Sequence, residues 1–252
     1  MTEPDNRPLR FASVPYANAA PLAAFLPPGA VAYYPPAEQL AHLLDGSADA
    51  ALVPVADFLT HPGLVRVGQL GICADGAVWS VLLKCNKPLA DVGTIQTDAA
   101  SRTSNALIRV LLTHHFRCSV RLTADAGADA AVVIGDRALT LPPAPAGDID
   151  LSQAWKALTG LPFVFAVWAC RADHTRRGEL ARQARHAYTL GQAASDQLAR
   201  LWAERLNLPF ETLHEYLTKI IRYEIGPREE QALARFGEYL LHLPATMEGA
   251  TQ

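Results

Sequence analysis

The chain has 252 residues, half of them hydrophobic, and a formal net charge of −3. This suits one large domain or two small lobes with hydrophobic cores, and the absence of a basic run argues against a nucleic-acid partner. No apolar run is long enough to cross a bilayer, and the polar N-terminal residues 1–8 lack the apolar segment of a signal peptide, so we expect no membrane partner and a cytoplasmic location.

The first part of the chain alternates strands with helices. Strands are predicted at residues 10–14, 31–34 and 49–55. A short helix is expected after the loop that begins at Pro15, and a second helix over 37–45. The last of these strands is almost wholly apolar, as buried parallel strands are. This order is typical of an α/β sheet with crossover helices.

The rest of the chain contains more strands and then a helical C-terminal part. Strands are predicted at 64–72, 78–84, 120–122, 130–134 and 163–169. Helices are predicted at 105–112 and 150–159, and then, with nothing but helix after residue 169, at 180–206 with a break near Gly191, 212–223 and 228–243. The four cysteines are widely spaced, which predicts neither a disulfide framework nor a metal site.

The two long strands at 78–83 and 163–169 bracket a middle segment with its own βαβ pattern. We therefore predict two lobes around a cleft, with residues 1–83 and 167–252 in lobe one and 84–166 in lobe two. Ligands of open α/β sheets bind beyond the carboxyl ends of the strands. This rule brings together the loops after the strands, at 15–18, 54–55, 97–104 and 135–136.

Residues 97–104 read Thr-Asp-Ala-Ala-Ser-Arg-Thr-Ser and precede a helical stripe of leucine and valine. The hydroxyls of Ser101, Thr103 and Ser104 can each cap backbone amides at the start of that helix. A helix N-terminus with hydroxyls and an arginine suits a carboxylate or phosphate. An ordinary helix cap is the alternative interpretation.

The ordered set of motifs resembles the chorismate dehydratases, which catalyse the first step of the futalosine route to menaquinone. No single motif is specific, but together they span about the whole chain: residues 13–22 (SVPYANAAPL), 49–55, 76–81, 101–104, 134–139, 161–168, 216–217 and 223–226. One departure is Ala17, where the family usually has a larger apolar residue.

The resemblance implies a two-lobed α/β fold like that of type II periplasmic binding proteins, with a ligand cleft between the lobes. It implies a carbon–oxygen lyase that eliminates water from chorismate to give 3-[(1-carboxyvinyl)oxy]benzoate, without a metal or organic cofactor, as a monomer or homodimer. The small-molecule partner is then chorismate.

On this interpretation the carboxylate cradle consists of four consecutive residues, Ser101, Arg102, Thr103 and Ser104. An equally good interpretation is that the Arg102 side chain points to solvent, because arginine is mostly exposed. Ser80 is a candidate for the second carboxylate, although a bond to a neighbouring carbonyl is at least as good an explanation of a serine there.

Asn18 is the best polar catalytic candidate, because it could hold the departing hydroxyl or the ether. An Asx turn before Pro21 is its structural alternative. Pro54 and Val55 are expected to form an apolar wall. Asp136 is also included among the candidate binding residues. A structural role is favoured for it, because its carboxylate would repel an anionic substrate.

No histidine lies in a matched motif or at a predicted strand end, so none of the eight is expected to act as the base. The resemblance suggests instead that the enolpyruvyl carboxylate of the substrate removes the proton. Three other functions stay open: a non-catalytic binding protein for a small carboxylate, the related 1,4-dihydroxy-6-naphthoate synthase, and an effector domain of a transcription factor. Gly135-Asp136-Arg137 stands where the naphthoate synthase should carry a histidine, and residues before Phe11 are too few for a DNA-binding helix pair.

Overall fold

A computed structural model describes residues 7–243, so the N-terminal residues 1–6 discussed above lie outside the described part. Its strands form two sheets. The strands are β1 (Phe11–Ser13), β2 (Val31–Tyr33), β3 (Ala50–Pro54), β4 (Leu64–Ala74), β5 (Val81–Cys85), β6 (Thr94–Gln96), β7 (Arg121–Thr123), β8 (Ala130–Ile134), β9 (Asp148–Asp150), β10 (Phe163–Arg171) and β11 (Arg222–Glu224).

The first sheet has the order β11-β4-β10-β3-β1-β2 and the second the order β7-β6-β8-β5-β9. In the first sheet β1 pairs in parallel with β2 and β3, whereas β10 runs antiparallel to β3 and β4. In the second sheet β6 is parallel to β7 and β8, and β5 is antiparallel to β8 and β9. The βαβ character predicted for both halves is confirmed, and each half has its own sheet.

Helices cover the sheets and fill most of the connections. They are α1 (Ala20–Ala23), α2 (Gln39–Leu44), α3 (Val55–Thr60), α4 (Arg102–Leu111), α5 (Gly135–Thr140), α6 (Leu151–Thr159), α7 (Arg177–Ala193), α8 (Ser195–Leu206), α9 (Phe210–Glu215) and α10 (Pro227–His242). Short 3₁₀ turns at Ala17–Ala19 and Pro36–Glu38 lead into α1 and α2, and a π-helical turn at Tyr216–Ile220 follows α9.

The prediction of one strand over 78–84 is wrong at its start, because β5 begins only at Val81. Trp79 has a φ of 65°, a left-handed conformation that a strand does not contain. The amides of Val78 and Trp79 each donate to one carboxylate oxygen of Asp150 at 2.8 Å instead of joining a sheet. Ser80 therefore lies in an irregular segment that precedes β5, and not within the predicted strand.

This segment is where the chain passes from the first sheet to the second. β4 of the first sheet ends at Ala74, and β5 of the second begins at Val81; the chain returns between the end of β9 at Asp150 and the start of β10 at Phe163. Residues 81–83, placed by the sequence in lobe one, thus belong to a strand of the second sheet. Residues 163–166 belong to the first. Both changes of sheet come a few residues before the predicted boundaries at 84 and 167.

Five short elements were not predicted, namely α3, α5, β6, β9 and β11. Both helices begin directly after a buried strand, so a sequence pattern shows only the strand's apolar run and no separate helical stripe. The strand β11 also contradicts the expectation that everything after residue 169 is helical. It is three residues long and is held by its pairing with the distant β4.

The break predicted near Gly191 lies slightly later in the structure, between the end of α7 at Ala193 and the start of α8 at Ser195. A β-carbon at Gly191 would lie 2.2 Å from the carbonyl oxygen of Pro21 in α1. The glycine is therefore explained by the close approach of two helix backbones and not by a helix end.

Candidate active site

A cleft between the two sheets encloses about 550 Å³ of empty space, open solvent at its mouth included. Its walls are mostly apolar and come from both halves of the chain, as they do in many small-molecule sites. The lining residues are Val14, Tyr16, Asn18, Pro36, Leu52, Pro54, Ile72, Val78, Ser80, Val81, Ser101, Thr103, Ser104, Ile134, Gly135, Phe165 and Ala166.

The structure brings together six of the nine predicted site residues in this cleft: Asn18, Pro54, Ser80, Ser101, Thr103 and Ser104. The other three, Val55, Arg102 and Asp136, are not among its lining residues. Val55 is fully buried at the start of α3, one residue beyond the wall that Pro54 forms.

The start of α4 supplies the hydroxyls of one side of the cleft. Ser101 is the N-cap, and its side chain accepts a hydrogen bond from the Ser104 amide at 3.1 Å. The two serine hydroxyls are also bonded to each other at 2.8 Å. The amides of Arg102 and Thr103, the first two of the helix, have no intrahelical acceptor, and they carry the positive end of the helix dipole. The cap interpretation is confirmed, and the capped end faces the cleft.

The other two cradle side chains make contacts between the two halves of the molecule. The Thr103 hydroxyl accepts from the Ala56 amide in α3 at 3.1 Å. Arg102 donates to Asp57, also in α3, at 2.9 Å, and its side chain is 57% exposed. Arg102 is thus bound to a neighbouring helix on the protein surface, which departs from its predicted place in the cradle.

Asn18 and Ser80 meet at the far side of the cleft, next to a buried tyrosine. The Tyr216 hydroxyl donates to Ser80 Oγ at 2.7 Å, and both residues are fully buried. Asn18 contacts the same hydroxyl and lowers its pKa, although burial raises that pKa overall. The Oδ1 atom of Asn18 is buried and has no hydrogen-bond partner within the described residues. Such an acceptor is costly unless a ligand donates to it.

Asp136 bonds across the cleft entrance to the opposite half of the molecule. Its carboxylate accepts from the Ala17 amide at 2.9 Å, at the start of the 3₁₀ turn that carries Asn18. Burial raises the pKa of the Asp136 carboxyl to about 6, against the opposing effect of that one hydrogen bond. The structural role favoured for this residue agrees with the bond it makes.

Two tyrosines at the site had no role assigned from the sequence, Tyr16 among the lining residues and Tyr216 behind the cleft. Gly135 has a φ of 61°, and a β-carbon there would lie 3.1 Å from the Tyr16 ring. The strand-end glycine was visible in the sequence, but its partner ring lies more than a hundred residues away. Tyr216 belongs to a matched motif, yet nothing local indicates that its hydroxyl reaches Ser80.

The raised pKa of Asp136 gives a stability prediction. The folded protein binds this proton more tightly than the unfolded chain, so the group lowers the free energy of unfolding as pH rises from about 4 to about 6. Asp136→Asn keeps an oxygen for the Ala17 amide and removes the buried charge. We expect it to raise the free energy of unfolding by about 1–3 kcal/mol at pH 8.

Urea denaturation of both proteins at pH 8 and pH 4.5 measures this effect. The gain should shrink at the lower pH, where the folded carboxyl of the wild type is largely protonated. Asp173→Asn is the control, because that side chain is 76% exposed. A gain for Asp136→Asn that is the same at both pH values would contradict the assignment.

Residues 7–243 contain neither a membrane-spanning helix nor a cluster of metal-binding side chains. No helix there is long and apolar enough to cross a membrane. No group of three or more histidine, cysteine, aspartate or glutamate side chains in the same range is arranged to hold a metal ion.

Comparison with known sequences gives two findings. Residues 9–242 match the sequence model of a family described as menaquinone biosynthesis. A chorismate dehydratase of Thermus thermophilus is 31% identical over 251 residues, an alignment that covers 89% of this chain and 92% of that protein.

Comparison with solved structures identifies the fold. A protein from Archaeoglobus fulgidus superposes with a TM-score of 0.70 at 15% identity, covering 92% of this chain and 96% of the other. The periplasmic aliphatic sulphonate binding protein of Escherichia coli superposes with a TM-score of 0.58 at 18% identity, covering 94% and 93%. The predicted two-lobed fold of the periplasmic-binding-protein type is confirmed.

Proposed function

The chain belongs to the menaquinone-biosynthesis family, and on that premise we propose that it is a chorismate dehydratase, a lyase that removes water from chorismate. The observation that carries the proposal is the cleft itself. A helix N-terminus with serine hydroxyls lies on one side, and the unpartnered acceptor of Asn18 lies on the other. The product is then 3-[(1-carboxyvinyl)oxy]benzoate, and a cytoplasmic location stays a prediction.

The shape and polarity of the cleft suit the proposed substrate. Chorismate has a six-membered ring, two carboxylates, an enolpyruvyl ether and a ring hydroxyl. The apolar walls, which include Leu52, Ile72 and Phe165, can hold the ring. One carboxylate can accept from the hydroxyls and free amides at the start of α4, where the helix dipole favours an anion. The second can accept from Ser80.

The proposed reaction needs little covalent chemistry from the protein. A ring C–H bond breaks, its electron pair forms the last double bond of the aromatic ring, and the C–O bond to the ring hydroxyl breaks. The proton removed from carbon ends on the departing hydroxyl, which leaves as water. Aromatisation drives this step. The protein has to orient the substrate for this step. Asn18 Oδ1 is placed to accept from the O–H of the ring hydroxyl and so to orient the leaving group.

The base is the remaining question. Of the described residues that line the cleft, none is aspartate, glutamate, histidine or lysine. Asp136 follows the lining residue Gly135 directly, but it does not line the cleft itself, and one oxygen of its carboxylate accepts from the Ala17 amide. We therefore keep the hypothesis that the enolpyruvyl carboxylate of the substrate takes the proton. An Asp136→Asn variant that retains turnover supports it, and a dead but folded variant contradicts it.

Closure of the cleft is part of the proposal, because water must be excluded while the ring aromatises. Bonds between the halves already surround the cleft: Asp136 to Ala17, Thr103 to Ala56 and Arg102 to Asp57. They hold the lobes together on both sides of the lining residues. Such contacts stabilise the closed form and keep reactive groups out of solvent.

A single incubation tests the function. Purified protein is mixed with chorismate, and the products are analysed by mass spectrometry and ultraviolet absorbance. We expect a product that is lighter by one water and has an aromatic spectrum. Unchanged chorismate with a clear thermal shift would instead indicate a binding protein, and neither turnover nor shift would contradict chorismate as the ligand.

A further inference from the structure

Tyr216 is a fully buried polar residue that touches two of the candidate site residues. It lies at the first position of the π-helical turn at Tyr216–Ile220, where the Ile221 amide bonds to its carbonyl oxygen at 2.9 Å. Its ring stacks on Trp79 with an interplanar angle of 16° and a centroid separation of 6.5 Å. Turns of this type occur often at functional sites, because they redirect one side chain within a helix.

The hydrogen bonds of Tyr216 have a direction. A phenol is more acidic than an alcohol, so between Tyr216 and Ser80 the phenol is the better donor, and the 2.7 Å bond runs from tyrosine to serine. Burial raises the pKa of the phenol, and its contact with Asn18 acts in the opposite direction. The phenol and the Ser80 hydroxyl thus form a short chain in which the tyrosine donates to the serine.

The last proton of this chain is that of Ser80. Within the described part of the molecule, the acceptor recorded for it is the Val78 carbonyl at 3.4 Å, which is long for a bond between a hydroxyl and an oxygen. Because Tyr216 occupies one lone pair of Ser80 Oγ, the serine is best used as a donor. Its side chain lines the cleft, so a ligand oxygen is the acceptor that would complete the chain.

We propose that Tyr216 is a positioning residue that fixes Ser80 as a hydrogen-bond donor to a carboxylate of the substrate. This role deepens the proposed function and rests on it. Tyr216 itself does not touch the ligand, since it is not among the lining residues. It acts through Ser80, to which its hydroxyl donates.

The test is a double-mutant cycle on the full-length protein with chorismate as substrate. Tyr216→Phe keeps the ring and its stacking on Trp79 but removes the donor. We expect the KM to rise about 10-fold, with kcat changed less than about 3-fold, because a carboxylate contact is made equally in the ground state and the transition state. In a Ser80→Ala background, Tyr216→Phe should have no further effect on KM.

Tyr223→Phe is the matched control. Tyr223 is a second buried tyrosine, its hydroxyl has no partner within the described residues, and it is not among the lining residues of the cleft. Its loss of a hydroxyl should leave KM unchanged. If Tyr216 were merely structural, its effect would multiply with that of Ser80→Ala, and thermal melting would show the loss without a specific rise in KM; either result overturns the proposal.

A second measurement needs no substrate. The buried Tyr216 hydroxyl proton should give a slowly exchanging proton NMR signal that is absent in Tyr216→Phe and shifted in Ser80→Ala. A signal that Ser80→Ala leaves unmoved overturns the proposal whatever the substrate is. Absence of wild-type turnover and of chorismate binding would instead overturn the proposed function, so the two failures are distinguishable.

Discussion

Replacing Asn18 with alanine is expected to lower kcat by about 10²–10³-fold and to change KM by less than about 3-fold. Asn18 Oδ1 is buried beside the cleft without a partner, so it is ready to accept from a ligand group at no cost of reorganisation. Because this oxygen can accept from the O–H of the ring hydroxyl, it orients the leaving group, and the loss of such orientation costs about 10²-fold or more. Steady-state kinetics with chorismate measure both constants.

Two comparisons make the result specific. Ser104→Ala removes a hydroxyl from the start of α4. We expect it to raise KM by about 10-fold with kcat retained, because the proposed contact of this hydroxyl with a substrate carboxylate is the same in the ground state and the transition state. Asn86→Ala is the matched control for the loss of an amide, because Asn86 is exposed at the end of β5. Normal kinetics in both Asn18→Ala and Ser104→Ala would show that the site lies elsewhere.

The parts of the fold that could be predicted are those whose cause is local. The buried strand over Ala130–Ile134 is a continuous apolar run bounded by glycine, and the structure has it with the same bounds. The start of α4 is similar, because a serine that caps an amide three residues later acts within one turn. The candidate cradle follows from that cap and from the rule that ligands bind beyond strand ends.

The parts that could not be predicted depend on pairs distant in sequence. Ser80 and Tyr216 are 136 positions apart, and only the assembled fold shows that their hydroxyls meet. Trp79 adopts its left-handed backbone because Asp150 holds its amide from another element. Arg102 reads as an anion ligand from its place at a helix start, but Asp57 of the opposite half competes for it. Local patterns contain none of this information.

The role of Gly191 also depends on a residue that is distant in sequence, although local rules interpret this glycine as a helix break. Gly191→Ala is expected to lower the free energy of unfolding by about 2–4 kcal/mol, because the new methyl group would lie 2.2 Å from the Pro21 carbonyl oxygen and 2.8 Å from its carbon. These are backbone atoms of α1, so no side chain can turn aside. The helices α1 and α7 have to move apart, and urea denaturation measures the cost.

Gly178→Ala in the same helix is the control. Its methyl group would meet only the end of the Arg182 side chain, at 3.7 Å, and alanine favours helix over glycine by up to about 1 kcal/mol. The two substitutions should therefore act in opposite directions. The strain at Gly191 also falls on the turn at Ala17–Ala19, which precedes α1 and carries Asn18. Gly191→Ala should for this reason lower kcat as well, while Gly178→Ala should not; equal stability of the two variants would contradict the close packing of α7 on α1.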